Sequence, residues 1–356
     1  MFKVCIISCG MRANEAHIPA YRMFSDDFEI VGVSDINEDA AKKTAAKNGI
    51  SKYYINAEQM LYELKPDVVS VCVPNCFHKE YTIMALNYGA NVLCEKPIAF
   101  TYKDAVDMFA AAKRNNKFLM ACQSMRYTPD RLAAKKYIYE NHINDFYYGE
   151  ISRVRTRGIP TWGTFHIKKI NGGGAFADIG VHMLDALVWL IGNPEIKSVS
   201  GVIMQNHKDE IGTLIESGAL SGNVDIKRKF NPEEMDVEDF SCGILNFENG
   251  IRVNFKVAWA ANMPEESSIN LIGKSAGIYL PEGEIYLGKN KENLIIPQLE
   301  YDSAFPGHVY LIDNIRKVLK GADTPAVKPE ETVNISKIIE MFYKSAEKGE
   351  EVFSVI

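Results

Sequence analysis

Phe2-Lys3-Val4-Cys5-Ile6-Ile7-Ser8-Cys9-Gly10-Met11-Arg12-Ala13 opens the chain. The run 2–8 is apolar and β-branched enough for a buried strand, and Cys9-Gly10 stops it. A helix is expected over 14–24. A strand that passes through a glycine turn into a helix is the first unit of a doubly wound α/β sheet. Outward from this stretch the alternation repeats. Residues 28–34 read as a second strand closed by Asp35, and Asn37 caps a helix that stops at Gly49. Residues 67–73 form a third strand ended by Pro74, followed by a helix over 77–88. A fourth strand at 91–94, a helix capped by Thr101 and a fifth strand at 118–122 complete the set. Nearly all-apolar strands between helices are the signature of a parallel sheet covered on both faces. Residues 1–123 therefore read as an open, doubly wound α/β domain.

The rest changes character. After a helix over 129–141 the pattern turns strand-rich. Residues 251–260 alternate, with Ile251, Val253, Phe255, Val257 and Trp259 on one face and Arg252, Asn254 and Lys256 on the other. Asn249-Gly250 before them suits a type I′ hairpin turn. A second hairpin is expected over 267–280, and helices over 307–319 and 329–348. Residues 124–356 are read as one α/β domain. No Pro/Gly-rich linker marks the boundary.

The 356 residues carry 40 Lys+Arg against 46 Asp+Glu, a net charge of −6. Nucleic-acid binders carry a basic excess or stripe, so DNA and RNA are not expected as partners. No apolar run is expected to approach the roughly 18 residues of a membrane span. The N-terminal apolar run lacks a basic leader and reads as a strand. Seven scattered cysteines read as reduced thiols, and Cys72 and Cys76 have no second pair to complete a zinc-like set. No metal is expected, and the location is expected to be cytoplasmic.

The phosphate turn is Ser8, Cys9, Gly10, Met11 and Arg12. Gly10 lets backbone approach a pyrophosphate, and the following helix N-terminus offers free N–H groups. Ser8 stands where the fingerprint has its first glycine. Arg12 reads equally as a pyrophosphate partner or a surface arginine. Asp35 is placed to accept from a ribose 2′-OH and to repel a 2′-phosphate, which favours NAD over NADP; a helix cap is the plainer alternative.

Three further stretches carry a resemblance: Val73-Pro74-Asn75-Cys76-Phe77-His78, Cys94-Glu95-Lys96-Pro97, and the run from Gly172-Gly173-Gly174 through Asp178-Ile179-Gly180-Val181-His182 to Asp185. With the phosphate turn and Ala16-His17-Ile18-Pro19-Ala20 they resemble the glucose–fructose oxidoreductase/inositol dehydrogenase (Gfo/Idh/MocA) family over essentially the whole chain. The resemblance implies a Rossmann domain followed by an α/β domain with a large, mostly antiparallel sheet. It implies NAD(P)-dependent oxidation or reduction of a ring secondary alcohol on a sugar, glycoside or inositol, and association as dimers or tetramers through that sheet. Lys96, Asp178 and His182 match the family's catalytic positions. Ser8 and Arg12 depart from its usual turn.

Lys96 follows the carboxyl end of a strand, where ligands bind in open α/β sheets. Burial near a cationic ring would lower its pKa and suit it to proton transfer. Asp178 and His182, at i and i+4, share a helix face. Which of Lys96 and His182 is the primary base stays open. Pro74, Asn75, His78, Glu95 and Trp162 are further cofactor-side candidates, and Arg126 and Tyr127 are substrate candidates. His78 reads equally as a helix-start residue, Trp162 as core, and Asp185 as structural. Arg155, Arg157, His166 and His308 are weaker rim candidates; His142 and His207 carry no signal. Two other readings share these residues: glycoside cleavage through transient oxidation by bound NAD, and a non-catalytic dinucleotide-binding sensor.

Overall fold

A computed structural model describes residues 1–208, 230–287, 292–295 and 305–354. It divides into two compact units, Met1–Tyr127 with Asp302–Ser336, and Thr128–Tyr301 with Lys337–Ile356. The sequence places one boundary at 123/124, with all of residues 124–356 in the second domain. The structure instead returns residues 302–336 to the first unit.

In the first unit the strands are β1 (Phe2–Ile7), β2 (Phe28–Ser34), β3 (Tyr53–Tyr54), β4 (Val68–Val71), β5 (Asn91–Cys94) and β6 (Leu119–Ala121). They lie in the order β3-β2-β1-β4-β5-β6, and every pairing is parallel. This is the doubly wound order, with its reversal beside β1. Val4, Cys5, Ile6, Val68, Val69, Val92 and Leu93 are wholly buried, as strands covered on both faces require. The helices are α1 (Ile18–Arg22), α2 (Glu38–Lys47), α3 (Ala57–Leu64), α4 (His78–Asn87) and α5 (Tyr102–Arg114). Asn37 and Thr101 cap α2 and α5 as their sequence positions indicated, accepting from Ala40 N and Asp104 N. β3 and α3 were not anticipated: the two residues of β3 carry no periodicity, whereas Ala57, Met60, Leu61 and Leu64 of α3 do fall at helical spacing and form its buried face.

The second unit holds α6 (Pro129–Glu140), β7 (Phe146–Val154), α7 (Lys168–Asn171), α8 (Val181–Leu190) and β8 (Ile196–Met204). It continues with β9 (Phe240–Phe247), β10 (Arg252–Ala258), β11 (Glu266–Gly273), β12 (Ala276–Leu280), β13 (Glu284–Leu287), β14 (Glu292–Ile295) and β15 (Val352–Phe353). Among the described residues these make a nine-stranded sheet ordered β14-β13-β12-β11-β7-β10-β9-β8-β15. Only β7 and β10 pair in parallel. The alternation holds: Val253, Phe255 and Val257 are buried while Arg252 and Asn254 are exposed. The turn before them differs from the type I′ expectation. Phe247 N donates to Ile251 O across a three-residue loop, and only Gly250 (φ 92°) is left-handed. That is the geometry of a type I turn closed by a glycine. Helices α9 (Pro306–Leu319) and α10 (Pro329–Lys348) follow, and the division between the units falls within α10.

One correction concerns apolar length. The helical stretch Lys168–Leu190 has a window of mean hydropathy 1.2, long and apolar enough to span a membrane by composition. It is 83% buried. Phe176 packs at a tilt against Phe255 and Phe342, with ring centroids 5.0 and 4.0 Å away. This is the core helix of the second unit, and its hydrophobicity is spent on the sheet.

Candidate active site

Ser8 leaves β1 at φ 78°, a left-handed conformation, and its N–H donates to Ser34 O. Asp35, at the end of β2, accepts from Cys9 N and Asn37 N, each at 2.8 Å. One carboxylate thus fixes the phosphate turn and the start of α2. Asn14 completes the clamp, donating to the Cys9 and Gly10 carbonyls at 2.8 and 3.1 Å. The motif did not single out Asn14, whose other partners, Thr44 and Asn48, lie about thirty residues on. Gly10 is exposed, and a methyl group built on it would meet nothing nearer than Ser8 Oγ at 3.9 Å. The space a phosphate needs at this turn is open, and the helix beginning at Met11 aims its free N–H groups there. The residues fit a dinucleotide pyrophosphate. Arg12 is half-buried beside it.

The carboxyl ends of β4 and β5 supply the next group. Pro74 is exposed and Asn75 begins a short 3-10 turn. His78 is wholly buried, its ring nitrogens 2.8 and 3.0 Å from the carbonyl oxygens of Pro97 and Val73. It ties the Val73-Pro74-Asn75 end to the Glu95-Lys96-Pro97 end. Lys96 N donates to Glu95 Oε2, and the Lys96–Pro97 bond is cis. Glu95 and Lys96 are both nearly buried. Glu95 Oε1 faces His17 Nε2 at 2.9 Å and His308 Nε2 at 3.5 Å, and the imidazoles hold this carboxyl well below the usual range against the opposing effect of burial. His308 is therefore buried with Glu95.

In the second unit a wide π-type turn, Phe176–Gly180, precedes α8 and carries Asp178. Between Gly173 and Val188 every residue is buried except Asp178 and His182. The two polar side chains occupy the open positions of an otherwise buried segment. Trp259, fully buried, donates Nε1–H to Asp178 Oδ2 at 3.0 Å and orients it. Glu238 accepts from Gly174 N at 2.9 Å, Phe176 N at 3.0 Å and Tyr343 OH at 2.8 Å, fixing the glycine loop. Burial raises the Glu238 carboxyl above its ordinary value against those bonds. Nothing local in the sequence marks Trp259 or Glu238 as a site support: Trp259 reads only as one more core-facing position. Trp162 is half-buried near Phe165, and its Nε1–H is a buried donor without an acceptor among the described residues. A missing partner of this kind marks a place for a ligand atom.

Other candidates are structural in their surroundings. Arg126 is 1% exposed and ion-pairs with Glu331, and Tyr127 stacks on Tyr310 and donates to Ala326 O. Asp185 and His166 are buried. All seven cysteines are free; Cys5, Cys9, Cys94 and Cys122 are buried, whereas Cys76 is exposed. Burial pushes the Cys5, Cys9 and Cys94 thiols up to about 12, so these are not nucleophiles.

A Rossmann sheet with this phosphate turn, joined to a second unit that presents a carboxylate and an imidazole, defines an NAD-binding oxidoreductase. Residues 2–122 match the oxidoreductase family with an NAD-binding Rossmann fold, and residues 132–279 match the GFO/IDH/MocA C-terminal domain. The chain belongs to the Gfo/Idh/MocA family. It is 32% identical over 352 residues to the D-glucoside 3-dehydrogenase of Escherichia coli, covering 98% of this chain and 97% of that one. It is 28% identical over 240 residues to an NADP(+) scyllo-inositol 2-dehydrogenase of Bacillus subtilis, covering 65% and 73%. In fold it resembles an Agrobacterium radiobacter oxidoreductase solved with NAD+, L-tartaric acid and magnesium. That match has a TM-score of 0.79 at 18% identity over 99% and 98% of the chains.

Proposed function

We propose that this protein is an NAD-dependent dehydrogenase acting on a ring secondary alcohol of a sugar, glycoside or inositol, with a glycoside oxidised at its 3-position favoured. The observation that carries the reading is that Asp178, held by Trp259, and His182 are the two half-buried positions, both polar, in an otherwise buried segment. The favoured substrate rests on the E. coli relative. Bound NAD supplies the hydride-accepting chemistry. Ser8 to Arg12 would hold its pyrophosphate and Asp35 its ribose, with Pro74, Asn75 and Trp162 as further candidates for contact with it. The alcohol proton leaves to the His182 ring or to Lys96 Nζ, which act as the acid/base pair. Asp178, oriented by Trp259, holds His182 or a neighbouring hydroxyl.

The test mixes stoichiometric protein with NAD+ and a panel of hexoses, glycosides and inositols while following reduced-nicotinamide absorbance. The expected result is a signal with one substrate group that falls by about 10²-fold or more in Lys96→Ala and His182→Ala, the usual scale of acid–base catalysis. Glycoside cleavage with no net NADH would transfer the assignment to the elimination reaction. Bound NAD with no turnover of the panel would overturn the substrate class.

A further inference from the structure

Four side chains that the sequence scatters widely meet in the first unit: His17 at the end of the π-type turn Ala13–His17, Glu95 after β5, Cys122 after β6 and His308 in the first turn of α9. Their exposures are 0%, 7%, 1% and 6%. The donor atoms all lie within 4.8 Å of one another. His17 Nε2 is 2.9 Å from Glu95 Oε1 and 4.0 Å from Cys122 Sγ, and His308 Nε2 is 3.5 Å from Glu95 Oε1. Zinc bound tetrahedrally at about 2.0–2.3 Å sets donor–donor edges of about 3.3–3.8 Å. The observed edges straddle that range.

We propose that His17, Glu95, Cys122 and His308 form a buried site for one zinc-like divalent ion. One thiolate, two imidazoles and a carboxylate are a borderline-soft set that suits zinc and disfavours magnesium and calcium. Four protein ligands close the tetrahedron, so the site is structural rather than a place for substrate or water. A supporting shell is present: Ser70 Oγ lies 3.1 Å from His17 Nδ1 and is itself met by Tyr21 OH, fixing the ring. Hydrogen bonding alone accounts for the carboxylate and its imidazoles. The Cys122 sulfur is within hydrogen-bond reach of His17 and Glu95, so it too is turned toward the point on which the other three donors converge. An ion here would staple α9 to the carboxyl ends of β5 and β6.

The protein is purified without metal resin, and its metal content is measured by mass spectrometry before and after a chelator; the stripped protein is then titrated with Co(II). The expected result is one equivalent of bound ion per chain and a near-ultraviolet thiolate-to-cobalt band. The near-isosteric Cys122→Ser should lose that band while keeping its circular dichroism, and His308→Ala should lose the stoichiometric ion. Two results would overturn the site: no stoichiometric ion with no thiolate band on adding Co(II), or binding that persists unchanged in Cys122→Ser, which would assign the metal elsewhere.

Discussion

Ser8 stands at φ 78°, a conformation that costs an L-residue about 1–2 kcal/mol and a glycine nothing. Its hydroxyl returns little, since the bond to Asp35 Oδ2 is long at 3.4 Å. Ser8→Gly is therefore expected to stabilise the protein by up to about 1 kcal/mol, the strain relieved being partly offset by the freer unfolded chain. A urea midpoint that rises without a change in slope checks this. A fall would mean that the hydroxyl bond outweighs the strain. At the same scale Lys96, Asp178 and His182 were legible because each sits inside a short local motif. Trp259 and Glu238 were not, because they reach their partners across the fold: Trp259 to Asp178, and Glu238 to Gly174 and Phe176.

At the scale of elements, the loop before the Asp178 turn is held by close backbone approach. A methyl on Gly174 would fall far inside contact with the Glu238 carbonyl oxygen, which is backbone and cannot swing aside. Gly174→Ala is expected to destabilise the second unit by about 1–3 kcal/mol or more, as overpacking does. Gly10→Ala meets only open space, so it should keep its melting temperature and weaken NAD binding in a calorimetric titration. The contrast separates a glycine needed for packing from one needed for a ligand. The strand–helix alternation of the first unit was readable because buried parallel strands are apolar throughout. β13 to β15 were not, being only two to four residues long, and β8, though nine residues long, pairs with β9 and β15 far along the chain.

At the scale of the whole molecule, one face of the second sheet carries an aligned set of exposed apolar side chains. Val202 and Met204 on β8, Ile244 on β9, Tyr279 on β12 and Tyr286 on β13 are each about 39–46% exposed, and the strand registers place them on a common side. Isolated exposed apolar residues are ordinary, whereas a set aligned across a sheet marks an association surface. The protein is expected to form dimers or tetramers through this face. Light scattering on Val202→Arg/Ile244→Asp should give the monomer mass with an unchanged fold. An unaltered assembly would place the contact elsewhere.

The sequence by itself determined the parallel α/β unit, the phosphate turn with Asp35, and the Lys96 and Asp178/His182 motifs, since each is written in neighbours a few residues apart. Only the tertiary structure decided that residues 302–336 belong with the first unit, and that Arg126 is paired with Glu331. It alone brought His17, Glu95, Cys122 and His308 to one point. The physical reason is the same in each case. Local propensity and periodicity act over one or two turns of chain, whereas a buried charge or donor is satisfied by whichever group packing delivers, however distant in sequence.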